Sequence, residues 1–495
     1  MRNIIKGSIV FFLILLSGAC SKENLDPVPK TSLSDLSVFE NKDRIVAQVN
    51  GLYSFMKSGQ FMGGRYLVYN DIRDDNFIPN SNNGVTGFAT WNHSLVSSTN
   101  EVNNCWGAIY SAVNAINVFI EGLDANWTAG KLTGKITEAE KNQYKCEALA
   151  LRGMCYFYLL QLYALPYNKS NGSDPGVPLR LKANKSAEGN DLARSSVAEV
   201  YTQILKDLNE AEPLAIATYG TGAANALLNT TRIHRNTIVA FKSRVYLHKN
   251  DWANVLTETA KMVPASAPFV SPSGVPNALN PTFAGIWATP YTTAESIFSM
   301  PFTATNLPGT QNSLAVYYHP LSGESYFLVT AAGSLYTKIN AADARRVIFT
   351  TDSKGRIYIG KFPNYTTPAD YAPVLRYAEV LLNRAEAIVK SGNSVTQAAV
   401  DLLNAVRVRS YPAGAYTLAG FATVQSFIDA IMLERNIEFL GEGIRNMDLM
   451  RTVSVIPGKD GTAFAMGNVF SVAPTDPSYV WPMPSNEANQ NKLLK

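Results

Sequence analysis

The sequence predicts a mainly α-helical protein: tetratricopeptide-like helical hairpins forming a scaffold, with long loop-rich insertions and a few short strands. Three observations carry this. Apolar residues recur at three- and four-residue steps over long stretches. Several of these stretches are joined by short turns, as in helical repeats. Between them, residues 60–100, 165–195 and 264–370 are rich in Asn, Gly, Pro, Ser and Thr. Loops of that length inside a compact domain carry function or lack order.

The chain begins with a short positive stretch (Arg2, Lys6), an apolar run from Ile9 to Leu16, and Ser17-Gly18-Ala19-Cys20. The run is too short to cross about 30 Å of hydrocarbon, which takes about 20 residues. It has the build of a secretory signal, and a cysteine after small residues is what lipoprotein processing modifies. Residues 1–19 are therefore expected to be a signal peptide, Cys20 the lipidated residue, and 20–30 a polar, flexible tether.

Helix candidates follow in order. Val102–Leu123 carries Trp106, Ile109, Val113 and Ile116 near one face. Glu138–Leu165 repeats Tyr144, Ala148, Leu151, Cys155, Tyr158 and Leu162, and Pro166 ends it. Ser196–Ala211 has Ser195 or Ser196 as a cap. Arg232–Lys249 and Trp252–Val263 form a pair divided by Asn250-Asp251. Tyr371–Ser391, Val395–Ser410 and Val424–Leu440 complete the set. Residues 297–302 and 356–362 are short strand candidates.

Removing Arg2 and Lys6 from the 43 basic residues leaves 41 against 39 acidic. That balance argues against a nucleic-acid partner, which would select a basic face. The 24 Tyr, 22 Phe and 6 Trp suit both a core and a surface that binds something partly apolar and partly hydroxylated. Three cysteines follow Cys20, an odd number. Cys146 and Cys155 lie on one helix and cannot pair with each other; Cys105 with either is open, and buried free thiols are expected.

Four ordered segments stand out: Glu147-Ala-Leu-Ala-Leu-Arg152-Gly-Met-Cys-Tyr156-Phe157, Arg376-Tyr-Ala-Glu379-Val-Leu-Leu-Asn-Arg384-Ala-Glu386-Ala, Leu403-Asn-Ala-Val-Arg407-Val-Arg409, and Arg435-Asn-Ile-Glu438-Phe-Leu-Gly-Glu442-Gly443-Ile-Arg445-Asn-Met-Asp448-Leu-Met-Arg451. Together they resemble the SusD/RagB family of surface nutrient-capture lipoproteins. Phe439 replaces the family's Leu, and Trp481-Pro-Met-Pro484 is similar to its terminal Pro-Ile-Pro. The resemblance implies a single SusD-like helical-repeat domain over 31–495 with a loop-rich insertion at about 264–370. It implies an outer-membrane, outward-facing position, also suggested by Ser21-Lys22-Glu23, which is similar to lysine-acidic export signals. The implied partner is a SusC-like TonB-dependent transporter and the implied ligand an oligosaccharide. The alternatives are a peptide, as in the RagB branch, or an adaptor that gates the transporter with no ligand of its own.

The spacing of Arg435 with Glu438, Arg445 with Asp448, and Asp448 with Arg451 suits ion pairs along one helix face. It points to a structural role for the signature. Glu438 and Glu442 lie among arginines and read as ion-pair partners rather than the flanking carboxylates of a glycosidase. No metal-ligand spacing, nucleophile elbow or nucleotide loop is found, so a non-enzymatic protein without cofactor or metal is expected. A sugar site needs flat aromatic faces and fixed polar groups. The 65–93 segment offers Tyr69, Arg73, Asp75, Trp91 and Asn92, and the insertion offers Trp287, Tyr291, Tyr317 and Tyr318. Trp91 beside Asn92 is the leading candidate.

Overall fold

The computed structural model describes residues 38–186 and 189–494; the signal segment, Cys20 and the tether lie outside the described residues. The principal helices are α1 (Lys42–Met56), α2 (Arg65–Ile72), α3 (Asn100–Thr128), α4 (Glu138–Tyr163), α5 (Val197–Ala211), α6 (Ala223–Thr231), α7 (Arg235–His248), α8 (Trp252–Ala260), α9 (Tyr377–Gly392), α10 (Gln397–Ser410), α11 (Val424–Glu438) and α12 (Arg445–Arg451). They pack in sequence, α3 on α4, α4 on α5, α7 on α8, α8 on α9 and α9 on α10, so the mainly helical scaffold is a run of antiparallel neighbours.

Capping sets several boundaries. Thr137 and Glu140 form a reciprocal box at the start of α4, and Ser196 with Glu199 does the same for α5, which settles the cap on Ser196. Helix α4 stops at Tyr163 because Pro166 disfavours helical geometry before it, and Ala164 is already extended. From Cys146 to Tyr163 every residue of α4 is buried, so the helix runs through the interior rather than along the surface.

Four two-stranded antiparallel sheets pair β1 (Phe77–Pro79) with β3 (Tyr326–Leu328), β2 (Ser296–Met300) with β6 (Ala372–Arg376), β4 (Phe349–Thr351) with β5 (Ile357–Ile359), and β7 (Lys459–Asp460) with β8 (Asn468–Val469). Both strand candidates are thus strands. The helix expected from Tyr371 is shortened: residues 372–376 are strand β6, which Pro373 favours and which the pairing with β2 fixes, and the helix starts at Tyr377. Helix α6, rich in Asn and Thr, is one that periodicity does not reveal.

Buried ion pairs join the helices. The Arg152 guanidinium donates to both carboxylate oxygens of Asp207 at 2.8 and 2.6 Å and to Asn117 at 2.9 Å, tying α3, α4 and α5. Arg244 on α7 meets Glu379 on α9 at 2.7 and 2.5 Å. The signature pairs differ from the expectation. Asp448–Arg451 forms at 2.7 Å, but Arg435 reaches Asp448 and Asn383 rather than Glu438, and Arg451 also grips Glu386. Interhelix partners win because they satisfy buried charges that helix neighbours would leave unpaired.

Glu438 and Glu442 belong to a larger cluster with Glu295, Glu434 and Asp343, matched by Arg345, Arg376, Arg407, Arg409 and Lys361. The five carboxylates and five cations match one to one in formal charge. Burial alone would raise the Glu438 carboxyl, but Arg409, Arg376 and Arg345 outweigh it and hold the group well below the usual range. The three described cysteines are buried and free. Among the described residues no helix is long and apolar enough to cross a membrane.

Candidate ligand-binding region

The two loop-rich stretches meet. Strand β1 of the early stretch pairs with β3 of the insertion, Phe77 opposite Leu328 and Pro79 opposite Tyr326. The Asn80 amide donates to Ser325 O at 2.8 Å, Tyr326 Oη donates to Thr86 O at 3.0 Å, and Ser81 and Thr86 both donate to Glu324 Oε2. Arg356 bonds Asn80 and lies over the Phe327 ring, 5.2 Å from its centroid.

Most of the sequence-derived ligand residues are buried, and Trp91, Tyr317 and Tyr318 pack against this junction. Trp91 is 0% exposed; its Nε1 donates to Phe77 O at 2.7 Å, and the Lys459 ammonium lies over its ring. Tyr69 leans on Trp481 in the core. Arg73 clasps the C-terminal segment, donating to Ser478 O at 2.7 Å and Tyr479 O at 2.9 Å. Tyr317 and Tyr318 are fully buried, and Tyr318 Oη donates to Asp71 at 2.8 Å. Trp287 lies between Lys361 and Arg376, its face covered by both cations. These six present no open face to a ligand, and the leading position of Trp91 is corrected accordingly: a polar-rich neighbourhood in sequence does not imply an exposed one in space. Asp75 is exposed, Asn92 is half-buried with its amide on Ser94, and Tyr291 is half-buried.

Tyr291 is the sequence-derived residue around which polar and aromatic groups gather. It sits in the left-handed region at φ 64°, a conformation uncommon outside glycine and found at functional turns. Its ring packs against Tyr371 with centroids 4.8 Å apart and planes tilted by 32°. Tyr291 Oη donates to Asp370 Oδ1 at 3.1 Å, and Asn364 Nδ2 donates to Tyr291 Oη at 2.8 Å and to Asp370 Oδ1 at 2.6 Å. The Asn364 backbone amide donates to Asp370 Oδ2 at 3.1 Å, which closes the 364–370 loop on itself. From the same loop, Tyr365 stacks on His319 at 5.3 Å with planes within 8°.

Burial raises the Asp370 carboxyl. Burial and the Asp370 charge push the Tyr291 hydroxyl up to about 12, so it keeps its proton and serves as a donor. Burial lowers His319, keeping its ring neutral. Fixed amide, hydroxyl and carboxylate groups thus frame half-exposed aromatic faces, a set chemically suited to C–H surface and hydroxyls. Among the described residues no group of three His, Cys, Asp or Glu could hold a metal ion. Asn364, Tyr365, Asp370, Tyr371 and His319 were not singled out in the sequence. The signal available was the alternation of Tyr with Asn and Asp between Pro363 and Tyr371, where proline and polar residues mark a loop.

A family model described as "SusD family" matches residues 348–495, and one described as "Starch-binding associating with outer membrane" matches residues 25–247. A crystal structure of a SusD superfamily protein from Bacteroides fragilis is 31% identical with a TM-score of 0.80, covering 92% of this chain and 100% of that one. A SusD-like protein of Formosa agariphila is 22% identical, over 98% of this chain and 97% of its own length. Surface glycan-binding protein A from Bacteroides thetaiotaomicron shares the fold at 17% identity and a TM-score of 0.69, covering 92% of this chain and 98% of that one. The extent of the first match, together with the two family models, shows that the chain belongs to the SusD/RagB family.

Proposed function

We propose that this protein is a non-catalytic, lipid-anchored receptor that captures an oligosaccharide on the outer-membrane surface and passes it to a SusC-like TonB-dependent transporter. The observation that carries the reading is the Tyr291–Tyr371 platform with Asn364 and Asp370, carried by the loop-rich insertion and the segment after it on a SusD-family scaffold. Two half-buried rings offer flat faces to a sugar's C–H surface, and the flanking amide and carboxylate suit its hydroxyls. Support also comes from the family description that mentions starch binding and outer-membrane association, and from the glycan-binding name of one protein of the same fold. Cys20 supplies the anchor in this reading. The carboxylates most tempting as catalysts, Glu438 and Glu442, are committed to arginines and Lys361.

Isothermal calorimetry of the mature chain against matched panels of neutral oligosaccharides and of peptides tests the ligand. Binding to a glycan and to no peptide supports the reading; peptide binding alone replaces it with a peptide receptor. Affinity purification from the native membrane tests the partner: recovery of a TonB-dependent transporter is expected, and its absence contradicts the delivery step.

A further inference from the structure

Arg445 stands apart from the other arginines of the signature. Arg435 and Arg451 are each fixed by carboxylates. Arg445 opens the short helix α12 that Arg451 ends, and the buried Asp74 lies within its electrostatic reach, yet within the described residues its guanidinium makes no hydrogen bond, and its buried Nε has no partner. Arg445 as a whole is half-buried, and a donor shielded from water without an acceptor is costly, so such a group is normally matched by something. Arg445 faces a cleft of about 220 Å³ between the 75–76 turn, the 333–338 segment and helix α11. Its rim carries Lys338, Asp75 and Asp429, with Asn436 and Met432 beside them.

We propose that this cleft is a second glycan subsite, separate from the Tyr291 platform, in which Arg445 donates to the oxygens of one neutral sugar residue. The inference rests on the glycan-receptor reading above. Two cations and two carboxylates face the cleft together. An anionic ligand would meet Asp75 and Asp429, and a cationic one would meet Arg445 and Lys338. A neutral polyol, whose hydroxyls both donate and accept, matches donors and acceptors alike. Met432 and Leu433 supply apolar contact for the ring carbons. The two subsites share no residue, so a chain occupying both would be held by two weak contacts whose effects multiply through effective concentration.

The experiment uses the mature chain carrying Tyr291→Ala and Tyr371→Ala, so that the platform cannot contribute. Arginine Nε–H NMR signals are recorded during titration with glucose, galactose, mannose and xylose, and with glucuronate as the anionic probe. A saturable shift of the Arg445 signal, assigned by its loss in Arg445→Lys, with at least one neutral sugar is the expected result. Lys338→Ala, a change at an exposed rim residue, should weaken that sugar about threefold to tenfold while leaving thermal stability unchanged. An unmoved Arg445 signal overturns the proposal, as does a response to glucuronate alone. Neither outcome bears on oligosaccharide binding by the unmodified chain, so failure here is distinct from failure of the receptor reading.

Discussion

Arg244 and Glu379 meet with side chains only 2% and 3% exposed, and Tyr158 Oη accepts a further guanidinium bond at 2.9 Å. Removing one partner leaves the other charged in a dry interior. Arg244→Ala should therefore destabilise the chain by roughly 3–5 kcal/mol in urea unfolding, whereas a loss below 1 kcal/mol would mean that the pair is solvated. Glu101 carries a different consequence. Its carboxylate accepts from the Ala89 and Thr90 amides at 3.2 and 3.0 Å, yet burial dominates and raises it to about 7. In the unfolded chain the group titrates near about 4.3. Between those values the folded state holds a proton that the unfolded state has released, so stability is full below the unfolded pKa and falls as pH rises through about 7. Thermal unfolding should show a decline between pH 5 and pH 8 that is shallower in Glu101→Gln. Equal slopes in the two proteins would remove Glu101 as the cause.

At the scale of elements, helix ends and helix faces were legible because they follow from local chemistry. Ser196 was one of two cap candidates in the sequence, and the structure forms capping boxes from Ser196 with Glu199 and from Thr137 with Glu140. Thr137→Ala should cost about 1 kcal/mol, visible as a lowered melting temperature, and no change would show that the α4 terminus is held by tertiary contacts instead. Elements whose identity depends on a distant partner were less legible. Pro373 argues against helix in residues 372–376, but β2 alongside makes them a strand, and nothing within the segment announces that pairing. The same holds for the site. The meeting of the two loop-rich stretches was anticipated only as two separate regions, and the β1–β3 ladder is what joins them. Trp91 looked like a ligand contact because it lies in a polar loop, and Tyr317 and Tyr318 because they lie in the loop-rich insertion. They are core because Phe77 O, Gln311 O and Asp71 satisfy their polar atoms from other parts of the chain. Tyr291 was legible as a residue, but its partners Asn364, Asp370 and Tyr371 lie more than 70 positions away in sequence.

For the whole molecule, the division of labour runs between scaffold and loops. The signature arginines and carboxylates bind the helices to one another, and the five-against-five charge cluster joins α11 to β6 and to the 283–295 segment. Rigid support of this kind keeps surface groups in place and lowers the ordering cost of binding. In the proposed function, capture falls to the Tyr291–Tyr371 platform and tethering to Cys20. Cys20→Ser should move the protein from the membrane fraction to the soluble fraction without altering glycan affinity, and retention in the membrane would contradict the anchor. The most direct measurement is the dissociation constant of the mature chain for its tightest oligosaccharide, compared with that of Tyr291→Ala/Tyr371→Ala. The account predicts a loss of tenfold or more, about 1.4 kcal/mol, at unchanged stability. Equal dissociation constants in the two proteins would contradict it.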